Sequence, residues 1–105
     1  MNQLLQKLRH GDHPVEVSLR PNRTPNAFKE CIDRGFVHVR FTDTDGGTEL
    51  GVRLDKTACD LNADFELGTG KIKLIGNLTL DYVKVQCIAD IELQSLAGKG
   101  YLITV

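Results

Sequence analysis

Three basic side chains in the middle of the chain, His38, Arg40 and Arg53, are the strongest candidates for ligand chemistry, and we call them the basic group. Every second side chain of a strand points to the same face, so His38 and Arg40 share a face. The hairpin pairing described below adds Arg53 to it. Two guanidinium groups could bind a carboxylate of a ligand or partner, and His38 could act as a general base. The competing interpretation, a solvated face of a half-exposed sheet, is the one we favour.

Two further histidines, His10 and His13, flank Asp12 and could contribute ligands to a divalent ion. Imidazoles three residues apart meet on a helical turn, but Gly11 and Pro14 disfavour a helix here. A closed zinc site also needs four ligands, and the sequence has no CxxC or HExxH motif to support one. We therefore predict a polar connector, with no metal site and no cofactor.

The three cysteines, Cys31, Cys59 and Cys87, are odd in number and far apart in the sequence. This usage is typical of reduced thiols in a cytoplasmic protein and not of a disulfide framework. Cys31 and Cys87 fall at apolar positions of predicted elements, so we expect them in the core. Cys59 lies in an irregular segment and is expected to be the more accessible thiol.

The basic group depends on a hairpin formed by residues 36–42 and 49–55. Asp45-Gly46 between these segments is a strong signal for a two-residue type I′ turn. A turn there sets apolar residues against each other: Phe41 with Leu50, Val39 with Val52, and Val37 with Leu54. On the other face, the same register places His38 beside Arg53.

The longest strand pattern runs from Lys71 to Leu93 and predicts a second hairpin. Its apolar residues change parity at Asp81-Tyr82, and a turn at this point brings them all to one face. The resulting pairs are Leu80 with Val83, Leu78 with Val85, Gly76 with Cys87, Leu74 with Ala89, and Ile72 with Ile91. The opposite face then sets two lysines against two acidic residues, which supports the same register. A turn at Gly76-Asn77 is rejected because it sets apolar residues against polar ones.

Two isoleucines, Ile75 and Ile88, oppose each other on the otherwise charged face of this hairpin. The last strand is expected to begin at Tyr101, opposite Leu93, after a glycine-containing loop. That register adds Leu102 to the same face. Apolar side chains on a wet face are either covered or used for contact, so Ile75, Ile88 and Leu102 predict an interface.

Helical signals are fewer. Thr24 as N-cap and proline in the first turn predict a helix over residues 25–34, which Gly35 ends. A short helix could also occupy residues 2–9.

These elements together predict an α+β fold. We expect a mainly antiparallel sheet of about six strands, containing the hairpins 36–55 and 71–93, covered by the principal helix 25–34 in a two-layer or roll-like arrangement. The length of 105 residues suits a single α+β domain over 1–105.

Composition limits the classes of function. A formal net charge of −1 and a pI of about 6.3 provide no bulk positive field for nucleic acid or membrane surfaces. No apolar run has the length needed to span a bilayer, and the N-terminal residues lack the apolar core of a signal peptide. We therefore expect a cytoplasmic protein without nucleic-acid or membrane partners.

Two functions are compatible with these features. The leading hypothesis is a small non-catalytic binding or assembly module that forms a homodimer or binds a larger protein partner. The alternative is a small-molecule-binding or enzymatic roll with His38, Arg40 and Arg53 at the mouth of a pocket. We favour the first because the sequence contains no complete catalytic constellation.

Overall fold

The computed structural model describes residues 3–19, 23–44, 46–80 and 82–104. Within these ranges the chain forms two helices and six strands. In chain order they are α1 (Gln3–Arg9), β1 (His13–Ser18), α2 (Pro25–Arg34), β2 (Phe36–Phe41), β3 (Thr48–Leu54), β4 (Lys71–Leu80), β5 (Val83–Glu92) and β6 (Ala97–Thr104).

The six strands form a closed antiparallel barrel in sequence order. Each strand pairs with its neighbour in the chain, and β1 pairs with β6, where Val15 lies opposite Gly98. The predicted α+β two-layer fold is therefore wrong, because a closed sheet has no open apolar face for a helix to cover. Hydrophobic alternation reveals which face of a strand is buried, but not that the first and last strands meet.

The inner face of the barrel is filled with side chains, as in other small barrels. Alternate residues of every strand contribute to this core: Val15, Val17, Val37, Val39, Phe41, Leu50, Val52, Leu54, Ile72, Leu74, Val85, Cys87, Ala89, Ile91 and Leu102. Full burial of a large aliphatic side chain contributes roughly 1.5–3 kcal/mol, so this packing is the main stabilising contribution.

Each helix covers one end of the barrel. α1 precedes β1 and buries Leu5 and Leu8 completely in the core. α2 connects β1 to β2, and it inserts Phe28 and Ile32 at the opposite end. The helix predicted over 2–9 is thus found as α1, and Asn2 lies outside the described residues.

The predicted bounds of α2 are confirmed. The Thr24 hydroxyl accepts a hydrogen bond from the Ala27 N–H at 3.1 Å, and Pro25 occupies the first turn. Gly35 ends the helix in the left-handed region, at φ 81°. Only the position of the helix was wrong, since it plugs a barrel end and does not cover a sheet.

The register predicted for the central hairpin is also confirmed. β4 and β5 pair from Lys71 opposite Glu92 to Leu80 opposite Val83. Tyr82 in the turn has a positive φ of 67° and is 97% exposed, and Asp81 lies outside the described residues.

The register predicted for the β2–β3 hairpin is wrong by two residues, because Val39 lies opposite Leu50. The loop is wider than a two-residue turn. Gly46 and Gly47 both have positive φ, and the Thr44 hydroxyl donates to the Phe41 carbonyl oxygen at 3.2 Å. Asp45 lies outside the described residues. A shift of two keeps every side chain on its face, so the apolar pattern could not detect it.

The start of β6 was also predicted wrongly. The strand begins at Ala97, and Gly98 belongs to it. A Cβ atom on Gly98 would overlap the carbonyl oxygen of Asp90, so this glycine allows β5 and β6 to approach closely and does not form a loop. Tyr101 therefore lies opposite Ile88, and Leu102 turns inward, where it is fully buried. The placement of Leu102 on the outer face was wrong.

Candidate functional site

The barrel has one weakly paired junction, between β3 and β4. Among the described residues, these strands share two pairs, Arg53 with Asn77 and Leu54 with Gly76. Every other neighbouring pair of strands shares at least four. Beyond Arg53 the two strands diverge, and a cleft of about 590 Å³ opens between them. We call it the β3–β4 cleft. Its lining consists of Phe36, Glu49, Leu50, Gly51, Arg53, Asn77, Leu78, Thr79, Lys84 and Val85.

Gly76 is the point of closest approach between the two strands. A Cβ atom there would overlap a methyl group of Val52 and lie 2.6 Å from the carbonyl oxygen of Arg53. A glycine inside a strand often marks close packing of this kind.

The edge of β4 on the other side of Gly76 is covered by the segment that follows β3. Asp55 N–H donates to the Ile75 carbonyl oxygen at 2.9 Å, and Asp60 and Lys73 exchange two main-chain hydrogen bonds. Ile75 N–H also donates to the Cys59 sulfur at 3.2 Å. The cleft therefore begins where this cover and the β3 pairing both end.

The basic group does not converge on one site. Arg53 lies opposite Phe36 and lines the cleft. His38 lies opposite Gly51 on the exposed outer face, with its ring 5.0 Å from that of Phe36, edge to face. The predicted placement of His38 directly beside Arg53 is therefore wrong.

Arg40 is placed between two acidic residues. Its cross-strand neighbours are Glu16 on β1 and Glu49 on β3, and its guanidinium lies 3.8 Å from the Glu16 carboxylate. These carboxylates already offset its charge, so Arg40 is a poor receptor for an acidic ligand.

The cleft contains an exposed aromatic ring that the sequence reasoning missed. Phe36 is 43% exposed, and a Cβ atom on Gly51 would lie 2.6 Å from its ring. The ring therefore covers the glycine and forms the outer wall of the cleft. The sequence did contain a signal for this ring, since a phenylalanine occupies an outward-facing strand position opposite polar residues.

Three charged side chains line the cleft, the cations Arg53 and Lys84 and the carboxylate of Glu49. Among the described residues, the side chains of Arg53 and Lys84 have no ion pair and no hydrogen-bond partner. Lys84 lies across from Thr79, which places both at the β4 side of the opening. The cleft thus combines an apolar floor with unpartnered positive charge at its rim.

His13, the first residue of β1, is held by protein acceptors. Its Nδ1 lies 2.7 Å from a carboxylate oxygen of Asp43, and its Nε2 lies 2.9 Å from the His10 carbonyl oxygen. The hydrogen bond to Asp43 raises the pKa of His13, and this effect exceeds that of burial, which lowers the pKa. Both ring nitrogens face acceptors, so the imidazolium form fits this site and a metal-binding lone pair does not. The described residues contain no group of three or more His, Cys, Asp or Glu side chains placed to hold a metal ion.

The thiols differ in environment. Cys87 is buried in the core as predicted, and burial raises its pKa to about 12. Cys31 is half-buried, with Arg34 donating to its sulfur at 3.4 Å. Cys59, expected to be the most accessible thiol, is half-buried, and burial raises its pKa.

A second candidate surface lies on the outer face of β4, β5 and β6. Ile75 lies opposite Ile88, which lies opposite Tyr101, and Ile103 follows on β6. Ile88 is 7% exposed between its half-buried neighbours, and Ile103 is 37% exposed. Ile88 is not part of the barrel core, so these four residues form a separate apolar cluster, which we call the outer patch.

Comparison with known proteins adds no assignment to these surfaces. No protein-family model matches the chain, and a search of curated proteins found no match. Neither of the two described helices has the length and hydrophobicity needed to cross a membrane.

Proposed function

We propose that the chain is a small, non-catalytic assembly module that forms a homodimer through the outer patch. The observation that supports this proposal is the row Ile75, Ile88 and Tyr101, extended by Ile103, across three adjacent strands. Contiguous apolar residues on a sheet face that is otherwise polar are typical of protein contact sites. Ile88 is already buried, so the gain on association comes from the exposed parts of Ile75, Tyr101 and Ile103, at about 25 cal/mol per Å² removed from water.

The rows on either side of the patch favour a second copy as the partner. One flanking row is uncharged, and the other carries two lysines and one aspartate. The uncharged row is Asn77, Gln86 and Ile103, and the charged row is Lys73, Asp90 and Lys99.

A two-fold axis along the Ile75–Ile88–Tyr101 row, between the two facing sheets, sets the uncharged row of each copy over the charged row of the other. Gln86 then meets Asp90 of the second copy, and no like charges meet. An axis parallel to the strands would instead set Asp90 against itself, which is unfavourable. Self-complementarity of this kind is what a two-fold dimer requires.

We place the dimer in the cytoplasm. Cys31, Cys59 and Cys87 are all unpaired, and Cys87 is enclosed in the core. Free thiols of this kind persist in reducing compartments.

The alternative, a small-molecule receptor or enzyme with His38, Arg40 and Arg53 at one pocket, has less support. The cleft receives only Arg53 of the three. His38 lines a different depression beside α2, and Arg40 faces Glu16.

The test is the oligomeric state of two charge variants, Ile88→Glu and Ile103→Lys, by sedimentation velocity over a concentration series. We expect a dimer for the wild type and monomers for both variants. A carboxylate at position 88 would be buried without a partner, and a lysine at position 103 would meet Lys99 of the second copy. Ile103 is the more exposed position, so its variant keeps the test valid even where Ile88→Glu lowers stability. His38→Glu is the matched control on the far outer face and should remain dimeric. A wild type that stays monomeric at high concentration contradicts the proposal.

A further inference from the structure

We propose that the β3–β4 cleft binds an extended peptide segment of another protein, which adds a strand to the barrel and carries an acidic side chain at the cleft rim. None of the four residues of the outer patch lines this cleft, although Asn77 lines it and also lies in the row beside the patch.

The directions of the main-chain groups support strand addition. Leu54 N–H donates toward β2, to Gly35, whereas Asp55 N–H donates toward β4, to Ile75. Main-chain direction alternates along a strand, so the odd-numbered residues of β3 direct their N–H and C=O groups toward β4. Gly51 therefore presents its main-chain donor and acceptor to the cleft.

β4 presents a matching edge. Lys73 pairs with Asp60 and Asn77 with Arg53 along this edge, so the next residue that faces the cleft is Thr79. The β3–β4 pairing does not continue to Gly51 and Thr79. Two strand edges thus face one another across the opening, and an extended peptide between them can hydrogen-bond with either edge.

The size of the opening fits a short segment. β3 diverges from β4 over residues 48–52, which at about 3.3 Å per residue gives an edge of roughly 16 Å. A segment of about five residues spans such an edge. The cleft volume of about 590 Å³ is consistent with such a short segment.

The side chains of the cleft define the class of peptide. Its inner wall is apolar: Leu50 is 8% exposed, Val85 is buried, and Leu78 is half-buried. Every second side chain of the peptide should therefore be aliphatic. The outer wall carries Phe36 and Arg53, so the alternate side chains meet an aromatic ring and a cation.

The two unpartnered cations outnumber Glu49, the one carboxylate in the lining of the cleft, and they set the charge preference. A carboxylate on an outward-facing position of the peptide can accept hydrogen bonds from the guanidinium of Arg53 and pair with Lys84. A lysine at the same position would meet like charges, which costs affinity. The segment is therefore expected to alternate aliphatic and acidic residues.

The experiment uses the full chain and three fluorescein-labelled peptides of seven residues. One alternates valine with glutamate, the second has lysine in place of glutamate, and the third is the glutamate peptide with its backbone nitrogens methylated along one edge. Fluorescence anisotropy should show saturable binding of the first peptide, at least tenfold weaker binding of the second, and loss of binding by the third. Arg53→Gln should lower the affinity for the first peptide about tenfold. Arg40→Gln, the matched change on the neighbouring strand, should leave the affinity for this peptide unchanged.

Hydrogen exchange measured by NMR supplies the main-chain readout. The amides of Gly51 and Thr79 should exchange more slowly in the complex with the glutamate peptide. Equal affinity for the glutamate and lysine peptides would overturn the charge preference. Equal affinity for the methylated peptide, or no binding of any peptide, would overturn strand addition. Equally strong displacement of the glutamate peptide by glutarate would make the cleft a small-acid site and would also overturn the proposal.

Discussion

Replacing Gly76 with alanine is expected to separate β3 from β4 within the short pairing that joins these two strands of the barrel. The new methyl group would overlap the side chain of Val52 and lie 2.6 Å from the carbonyl oxygen of Arg53. Arg53 is itself one of the two paired residues of β3, so its main chain cannot withdraw without loss of the pairing.

The magnitude follows from these contacts. Forcing an extra methyl group into a packed site costs about 1–3 kcal/mol. The lower entropy of alanine in the unfolded chain offsets roughly 0.4–1 kcal/mol of that cost. Because one of the crowded groups is main chain and cannot rotate away, we expect a net loss of about 2 kcal/mol in the free energy of unfolding. For a domain of this size that loss lowers Tm by about 10 °C.

Urea and thermal unfolding, followed by circular dichroism, would measure this loss, with Gly51→Ala as the control. Gly51 lies on the adjacent strand, and the atoms nearest to an added Cβ there all belong to the ring of Phe36. That ring is 43% exposed and can move into solvent. The control should therefore change the free energy of unfolding by less than about 0.5 kcal/mol. Equal stability of the Gly76→Ala protein and the wild type, or equal losses in both variants, would contradict the crowding of position 76 by Val52 and Arg53.

Two further predictions concern titratable groups. The folded-state pKa of His13 is raised above 6.5 by its hydrogen bond to Asp43. Its contribution to stability is therefore fully present below pH 6.5 and is lost as pH rises through the raised pKa, and Asp43→Asn should flatten this slope in urea unfolding between pH 5 and pH 9. If the Asp43→Asn variant kept the wild-type dependence of stability on pH, the stabilising role of the His13–Asp43 pair would be contradicted. Burial raises the pKa of Cys87 to about 12, so a thiol reagent at pH 8 should label Cys31 and leave Cys87 unmodified in mass spectra of the native protein. Labelling of Cys87 as fast as Cys31 would disprove its enclosure.

The local features of this fold could be predicted from the sequence because they rest on local chemistry. The cap residues Thr24 and Gly35 define α2, and the change of parity at Asp81-Tyr82 defines the β4–β5 register. In both cases neighbouring residues carry the whole signal.

The predictions that were wrong concern features that depend on residues far apart in the chain. Gly98 was interpreted as part of a loop, but it lies in β6, where the absence of a side chain allows β6 to pack close to β5. The same residue pairs with Val15, and this pairing of β6 with β1 closes the barrel. That error shifted the register of β6 by an odd number of residues and moved Leu102 from the surface to the core. Because the barrel is closed, α2 fills one of its ends and does not cover an open sheet as predicted.

The candidate site was only partly predictable for the same reason. Arg53 was a candidate from the sequence and it lines the cleft, but its neighbours depend on a two-residue register shift that leaves the apolar pattern unchanged. Phe36 and Lys84 reach the same cleft because β3 and β4 diverge, and divergence of paired strands has no signature in the alternation of either strand.

Native mass spectrometry of the untagged wild-type chain tests the proposed assembly most directly, with Ile103→Lys measured alongside it. We expect a species of twice 11.6 kDa for the wild type and a species of 11.6 kDa for the variant. A wild-type spectrum that contains only the 11.6 kDa species at high protein concentration would contradict self-association through the outer patch.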